Sequence, residues 1–284
     1  SLRFKKALEA RVKHNLSRFL AIILVTAFVP AFAKTKSTSG KIDKNLKEQT
    51  FSYKQGDVDL EGFLAYPTAN AKKKKPAVII VHDWMGVGDY VKQRAKMVAQ
   101  LGYVAFAADI YGKDVHPSTS DEASKLATTY KNDRKLMRDR IRAAYDEVVK
   151  LPQVDPKKII VMGYCFGGTV ALELARSGAD LKGTITFHGG LSTPHPEDAK
   201  NIKGKVLVLH GADDPYANTQ ERIAFEDEMR KGNVDWQMIV YGNTVHSFTL
   251  WDLPQDNSTG AAYNPESDKR SWVAMQTFIK EVLE

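Results

Sequence analysis

One cysteine, Cys165, stands among glycines in the run GYCFGG (residues 163–168). A thiol becomes a strong nucleophile once it loses its proton. The pattern G-x-nucleophile-x-G sets such a residue on a sharp strand-to-helix turn. The glycines let the backbone pass on either side without Cβ atoms. Before the motif, KKIIVM (157–162) reads as a short buried strand. After it, GTVALELARSG (168–178) reads as a helix closed by Gly178. Cys165 is the only cysteine in 284 residues, so an internal disulfide is impossible. A lone cysteine is often just a small buried hydrophobe; its place among these glycines favours the nucleophile.

A thiol nucleophile needs a base, and the base needs an orienting acid. Of seven histidines, His14 lies in a basic N-terminal stretch, and His116 and His195 sit beside prolines in polar loops. His82, His188 and His210 end apolar runs and either line a pocket or pack. His246 differs: it sits in a tight polar turn, GNTVHSF (242–248), after a strand and before the last helix. It is the candidate base. The acid comes from HGADDP (210–215), where the pattern H-G-x-x-D selects Asp214 and leaves Asp213 to cap the turn. The order Cys165, Asp214, His246 is nucleophile, acid, base. An oxyanion needs two backbone donors. Phe166 N–H, at a helix start whose dipole also favours thiolate, is one; Trp84 N–H is the other.

These residues need a scaffold. FSYKQGDVDLEGFLAYP (51–67) alternates around Gly56-Asp57 and predicts an antiparallel hairpin. PAVIIVHDW (76–84), YVAFAADIYG (103–112), TITFHGG (184–190) and VLVLHGADDP (206–215) are continuous apolar runs, as expected of strands covered on both faces. Helical spacing predicts helices over 90–101, 134–151, 219–231 and 266–283, and a last strand over 235–241. Residues 112–133 are the one sizeable insertion. The alternation predicts an α/β fold: a mostly parallel central sheet, helices on both faces, and the hairpin at one edge. Such sheets bind ligands at the carboxyl ends of their strands, where Asp83, Cys165, Asp214 and His246 all fall.

Composition is that of a globular protein, with 43% hydrophobic and 26% charged residues. The net charge of +7 is concentrated early, because residues 1–33 carry six Lys/Arg against one acid. The nearly neutral remainder gives no argument for nucleic acid, and Lys72–Lys75 reads as a solvated loop. The basic stretch to Arg18, the apolar run FLAIILVTAFV (19–29) and Ala31-Phe32-Ala33 make a secretory signal peptide, cleaved after Ala33. A signal of ordinary length would begin near Val12, with residues 1–11 as non-native upstream sequence. The apolar run is shorter than the ~20 residues that span a bilayer. The expected product has no stable membrane anchor and is periplasmic or secreted. Residues 34–50 read as a flexible leader and 51–284 as one domain.

VHDWMG (81–86), FAADIYG (106–112), GYCFGG, HGADDP and HSF (246–248), with the tail AAYNPESDKRSWVAMQTFI (261–279), resemble the dienelactone hydrolase family of α/β-hydrolases. The resemblance covers residues 50–284. It implies Cys165, Asp214 and His246 as a triad and a carboxylic ester or lactone as substrate. It also implies an acid near the thiol, carried here by Asp83 where the family has glutamate. The family members that act on dienelactone hold its carboxylate with arginines. One such position is Leu250 here, and residues 110–133 contain no arginine. Tyr164, Lys113 and Arg134 are the candidate substrate-binding side chains. No cofactor or metal is expected, since there is no C-x-x-C or H-x-x-x-H spacing. The alternatives are a thioesterase or peptidase on the same fold, or a binding or redox protein on a hydrolase scaffold.

Overall fold

The computed structural model describes residues 45–69 and 73–284. The signal reading and most of the leader lie outside these residues. Eight strands form one sheet: β1 (Leu46–Gln55), β2 (Val58–Pro67), β3 (Lys75–Val81), β4 (Val104–Ala108), β5 (Val154–Tyr164), β6 (Gly183–Phe187), β7 (Lys205–Gly211) and β8 (Trp236–Tyr241). Their order is β1-β2-β4-β3-β5-β6-β7-β8. β1 and β2 pair antiparallel, β2 joins β4 antiparallel, and the rest is parallel. This is the α/β-hydrolase arrangement with its edge hairpin. β1 starts at Leu46, inside the segment expected to be a flexible leader. Residues 47–50 are exposed on this edge strand, so they carry no apolar alternation to read. Charged edge residues of this kind also discourage pairing with another sheet.

Inside the apolar runs a period of two sorts the core. Ala77, Ile79 and Val81 of β3 face one side with Val104, Phe106 and Ala108 of β4. There α2 (Ser120–Asn132), α3 (Arg134–Val148) and α4 (Phe166–Arg176) cover them. Val78 and Ile80, with Ala105 and Ala107, face the other side, under α1 (Asp89–Gln100) and α6 (Pro265–Leu283). Near β7, α5 (Thr219–Lys231) packs Phe225 and Met229 on Val206 and Val208. Every residue of α4 is buried, which explains its nearly all-round apolar sequence. Its two charged members satisfy each other and their neighbours. Arg176 binds Glu173 at 3.0 Å and Glu228 of α5 at 2.7 Å, and Arg138 bridges Glu173 to Asp198. Arg176 Nη2 also donates to the carbonyl of Leu191, just beyond β6.

The chain runs from β3 outward to β4, then returns past β3 to build β5 on its other side. That reversal opens a crevice at the carboxyl ends of β3 and β5. Asp83 follows β3 and Cys165 follows β5, so the fold sets them on the two sides of this switch point.

Candidate active site

Cys165 lies between β5 and α4, capping the helix with φ 53° and ψ −117°. Non-glycine residues avoid this region, and holding one there costs ~1–3 kcal/mol. The positive φ belongs to the cysteine and not to its glycines. Those serve close approach: a Cβ on Gly163 would strike Gly167, and one on Gly167 would strike the Val81 and His82 carbonyls. Five non-glycine residues with positive φ occur among the described residues. Two are the asparagines Asn233 and Asn243; the other three, Cys165, His188 and Ser247, cluster here.

His246 stands across from the thiol. Its Nε2 is 3.1 Å from Cys165 Sγ, and its Nδ1–H donates to Asp214 Oδ2 at 2.7 Å. The loop that carries it is bracketed: His246 N–H donates to Gly260 O, and Ala262 N–H to His246 O. Asp214 Oδ1 accepts from Tyr216 N–H at 2.8 Å and Ala217 N–H at 3.2 Å. Asp214 therefore fills both positions weighed for this pair, acid and turn cap, while Asp213 is exposed. Burial alone would push the His246 imidazole down. The interaction with Cys165 and the hydrogen bonds to Asp214 and Cys165 win, and raise it to about 10. A thiolate–imidazolium pair held by a carboxylate is equipped for nucleophilic attack followed by proton delivery.

The two proposed oxyanion donors, Trp84 N–H and Phe166 N–H, have no acceptor among the described residues. The orientation of Trp84 N–H has a physical cause that sequence reading missed. His82 Nε2 accepts from Ile110 N–H at 3.3 Å, so the ring proton sits on Nδ1 and is donated to Asp83 O. In a trans peptide the N–H points opposite the carbonyl. Fixing the Asp83 carbonyl on His82 thus turns Trp84 N–H the other way. Tyr111 Oη–H holds the next carbonyl, that of Trp84, at 3.0 Å. Burial keeps His82 neutral, as this tautomer requires.

A second buried network, also invisible in the sequence, backs the thiol. Cys165 N–H donates to Phe187 O and to His188 Nδ1, so His188 carries its proton on Nε2, directed at Thr249 Oγ1 2.7 Å away. Tyr90 Oη joins Thr249 Oγ1 at 2.7 Å. Arg94 donates to Tyr90 Oη, to Thr249 O and to Asp268 of α6. Its guanidinium lies over the rings of Tyr90, Tyr164, Trp251 and Trp272. Strand β6, the His246 loop, α1 and α6 are thereby joined behind Cys165.

Other expectations need correction. Asp83 is not bonded to Cys165: its Oδ1 takes Met85 N–H at 2.7 Å and closes the loop after β3. The shorter side chain ends on its own loop. Tyr164 is fully buried, stacked on Phe187 at 4.6 Å on the α1/α6 side of the sheet, and cannot meet a substrate. Strand alternation sends it there while Cys165 turns outward. Lys113 points to the hairpin, 3.7 Å from Glu61. Arg134 donates to Ser192 O at 3.3 Å and faces Glu173 and Glu221. The Phe166 side chain is core, packed with His82, Tyr111 and Tyr130. Only its N–H is left for chemistry.

A model of the dienelactone hydrolase family matches residues 60–283. The chain belongs to that family. It is 29% identical over 239 residues to a putative carboxymethylenebutenolidase of Aquifex aeolicus, covering 83% of this chain and 99% of the relative. Among solved structures, m3DLH is similar at 39% identity and TM-score 0.80, covering 84% of this chain and 99% of that one. A dienelactone hydrolase-like promiscuous phosphotriesterase, P91 from metagenomic libraries, is similar at 36% identity and TM-score 0.79, with the same coverage. This member of the dienelactone hydrolase family is a carboxylic ester hydrolase.

Proposed function

We propose that the chain hydrolyses small esters or lactones through Cys165 as nucleophile, outside the cytoplasm. The observation that carries this reading is the contact of Sγ with His246 Nε2 at 3.1 Å, with Asp214 behind the imidazole. The thiolate attacks the carbonyl carbon and forms a C–S bond. The oxyanion is held by the N–H groups of Phe166 and Trp84. As the C–O bond breaks, the His246 imidazolium gives its Nε2 proton to the leaving alkoxide. Neutral His246 then takes a proton from water as the hydroxyl attacks the thioester, and the C–S bond breaks to restore the thiolate–imidazolium pair. Asp214 fixes the ring and its charge through both halves.

The test is turnover of a chromogenic acetate by the parent and by Cys165→Ala. Loss by a factor of ~10³ or more, with an acetyl adduct on the parent seen by mass spectrometry after rapid quench, supports covalent thiol catalysis. Equal activity in both proteins would assign the chemistry to another residue.

A further inference from the structure

The loops around Cys165 present an unusual mixture: apolar side chains left in water, beside carboxylates. Tyr216 is 63% exposed, and its ring stands edge-on to His246 at 5.1 Å. Trp251 is 40% exposed and lies 4.8 Å from the ring of Tyr90, whose hydroxyl binds Thr249. Met85, whose N–H closes the Asp83 turn, is 39% exposed. These three come from the loops after β7, β8 and β3, which converge at the carboxyl end of the sheet. A substrate ring lying among them removes apolar surface from water on both partners.

The charges around the same loops are one-sided. Asp252, next to Trp251, is exposed; the Asp83 pKa is raised chiefly by its burial and in part by Asp252. Several cations of the neighbouring elements are engaged within the protein, and Arg222 of α5 donates to Thr219 Oγ1 at 3.0 Å. Lys113 pairs with Glu61 and Arg94 with Asp268. Arg134 lies on the Ser192 carbonyl, between Glu173 and Glu221.

We propose that this site takes uncharged esters bearing an aromatic or bulky apolar group, and turns away esters and lactones that carry a carboxylate. The proposal rests on the ester-hydrolase reading and narrows its substrate class. A carboxylate entering here meets the exposed Asp252 beside Trp251, and like charges repel.

The test compares 4-acetoxybenzamide with 4-acetoxybenzoate, two acetates of one shape that differ in charge, with each rate divided by its rate of hydroxide hydrolysis. We expect kcat/KM about tenfold higher for the amide at low salt, with the gap closing as added salt screens the mouth. Asp252→Asn should narrow the gap and Asp252→Lys should narrow it further, by raising the rate on the anionic ester. Tyr216→Ala should raise KM for the amide. Equal turnover of the two esters, or preference for the benzoate, overturns the charge selection and leaves the hydrolase reading intact. Turnover of neither by the parent overturns both.

Discussion

At the scale of single residues, the site is a problem in holding protons. His246 holds its proton more tightly because Cys165 and the Asp214 carboxylate flank it, against the burial that would remove it. A raised pKa means that the protonated form persists below that value and is lost as pH climbs through it. The imidazolium should therefore survive neutral pH, and kcat/KM should fall on the alkaline side, toward about pH 10. In Asp214→Asn one of the raising causes is gone. The falling limb should move toward ordinary histidine values and the rate should drop by ~10² or more. A pH–rate profile of both proteins checks this, and an unmoved limb would mean that Asp214 does not set the charge on His246. These three residues were legible because each sits in a short motif whose neighbours declare the turn it occupies. Tyr164, Lys113 and Arg134 were misread because side-chain direction depends on tertiary context. A strand phase buried the first, and nearby acceptors or carboxylates engaged the other two.

At the scale of elements, the strands and helices were legible because apolar runs, spacing and breakers are local. The carboxyl-end placement of the site followed from their alternation. The supports behind the site were not legible, since each contact joins distant segments. Tyr90 meets Thr249 across 159 residues, and Arg94 meets Asp268 across 174. His82 is the clearest case. It links the loop after β3 to the segment after β4 and fixes one peptide plane. In His82→Ala that plane is free to rotate, and Trp84 N–H, one of the two proposed oxyanion donors, loses its aim. Since one such donor is worth ~10²–10³ in rate, we expect kcat to fall by ~10-fold or more with KM little changed. His82→Gln, which can both donate and accept, should recover part of the loss. A change confined to KM, or no recovery with glutamine, would reduce His82 to a packing residue.

At the scale of the whole molecule, the expectation of export is independent of the fold, because it rests on residues 1–33 alone. If that segment directs export, the processed protein should begin KTKST, and N-terminal sequencing should read Lys34 first. A protein recovered outside the cytoplasm with Arg3 still in place would remove the cleavage reading. Among the described residues, no helix is long and apolar enough to cross a membrane. The order in which the chain supplies its parts has a further effect. Cys165 is made early, whereas its imidazole partner comes 81 residues later. The loop bearing that partner is bracketed by backbone bonds to Gly260 and Ala262, further along the chain. A chain still emerging from the ribosome therefore carries Cys165 before the imidazole that it meets at 3.1 Å in the folded protein. The Cys165–His246 contact can therefore form only after residues 246–262 have been made.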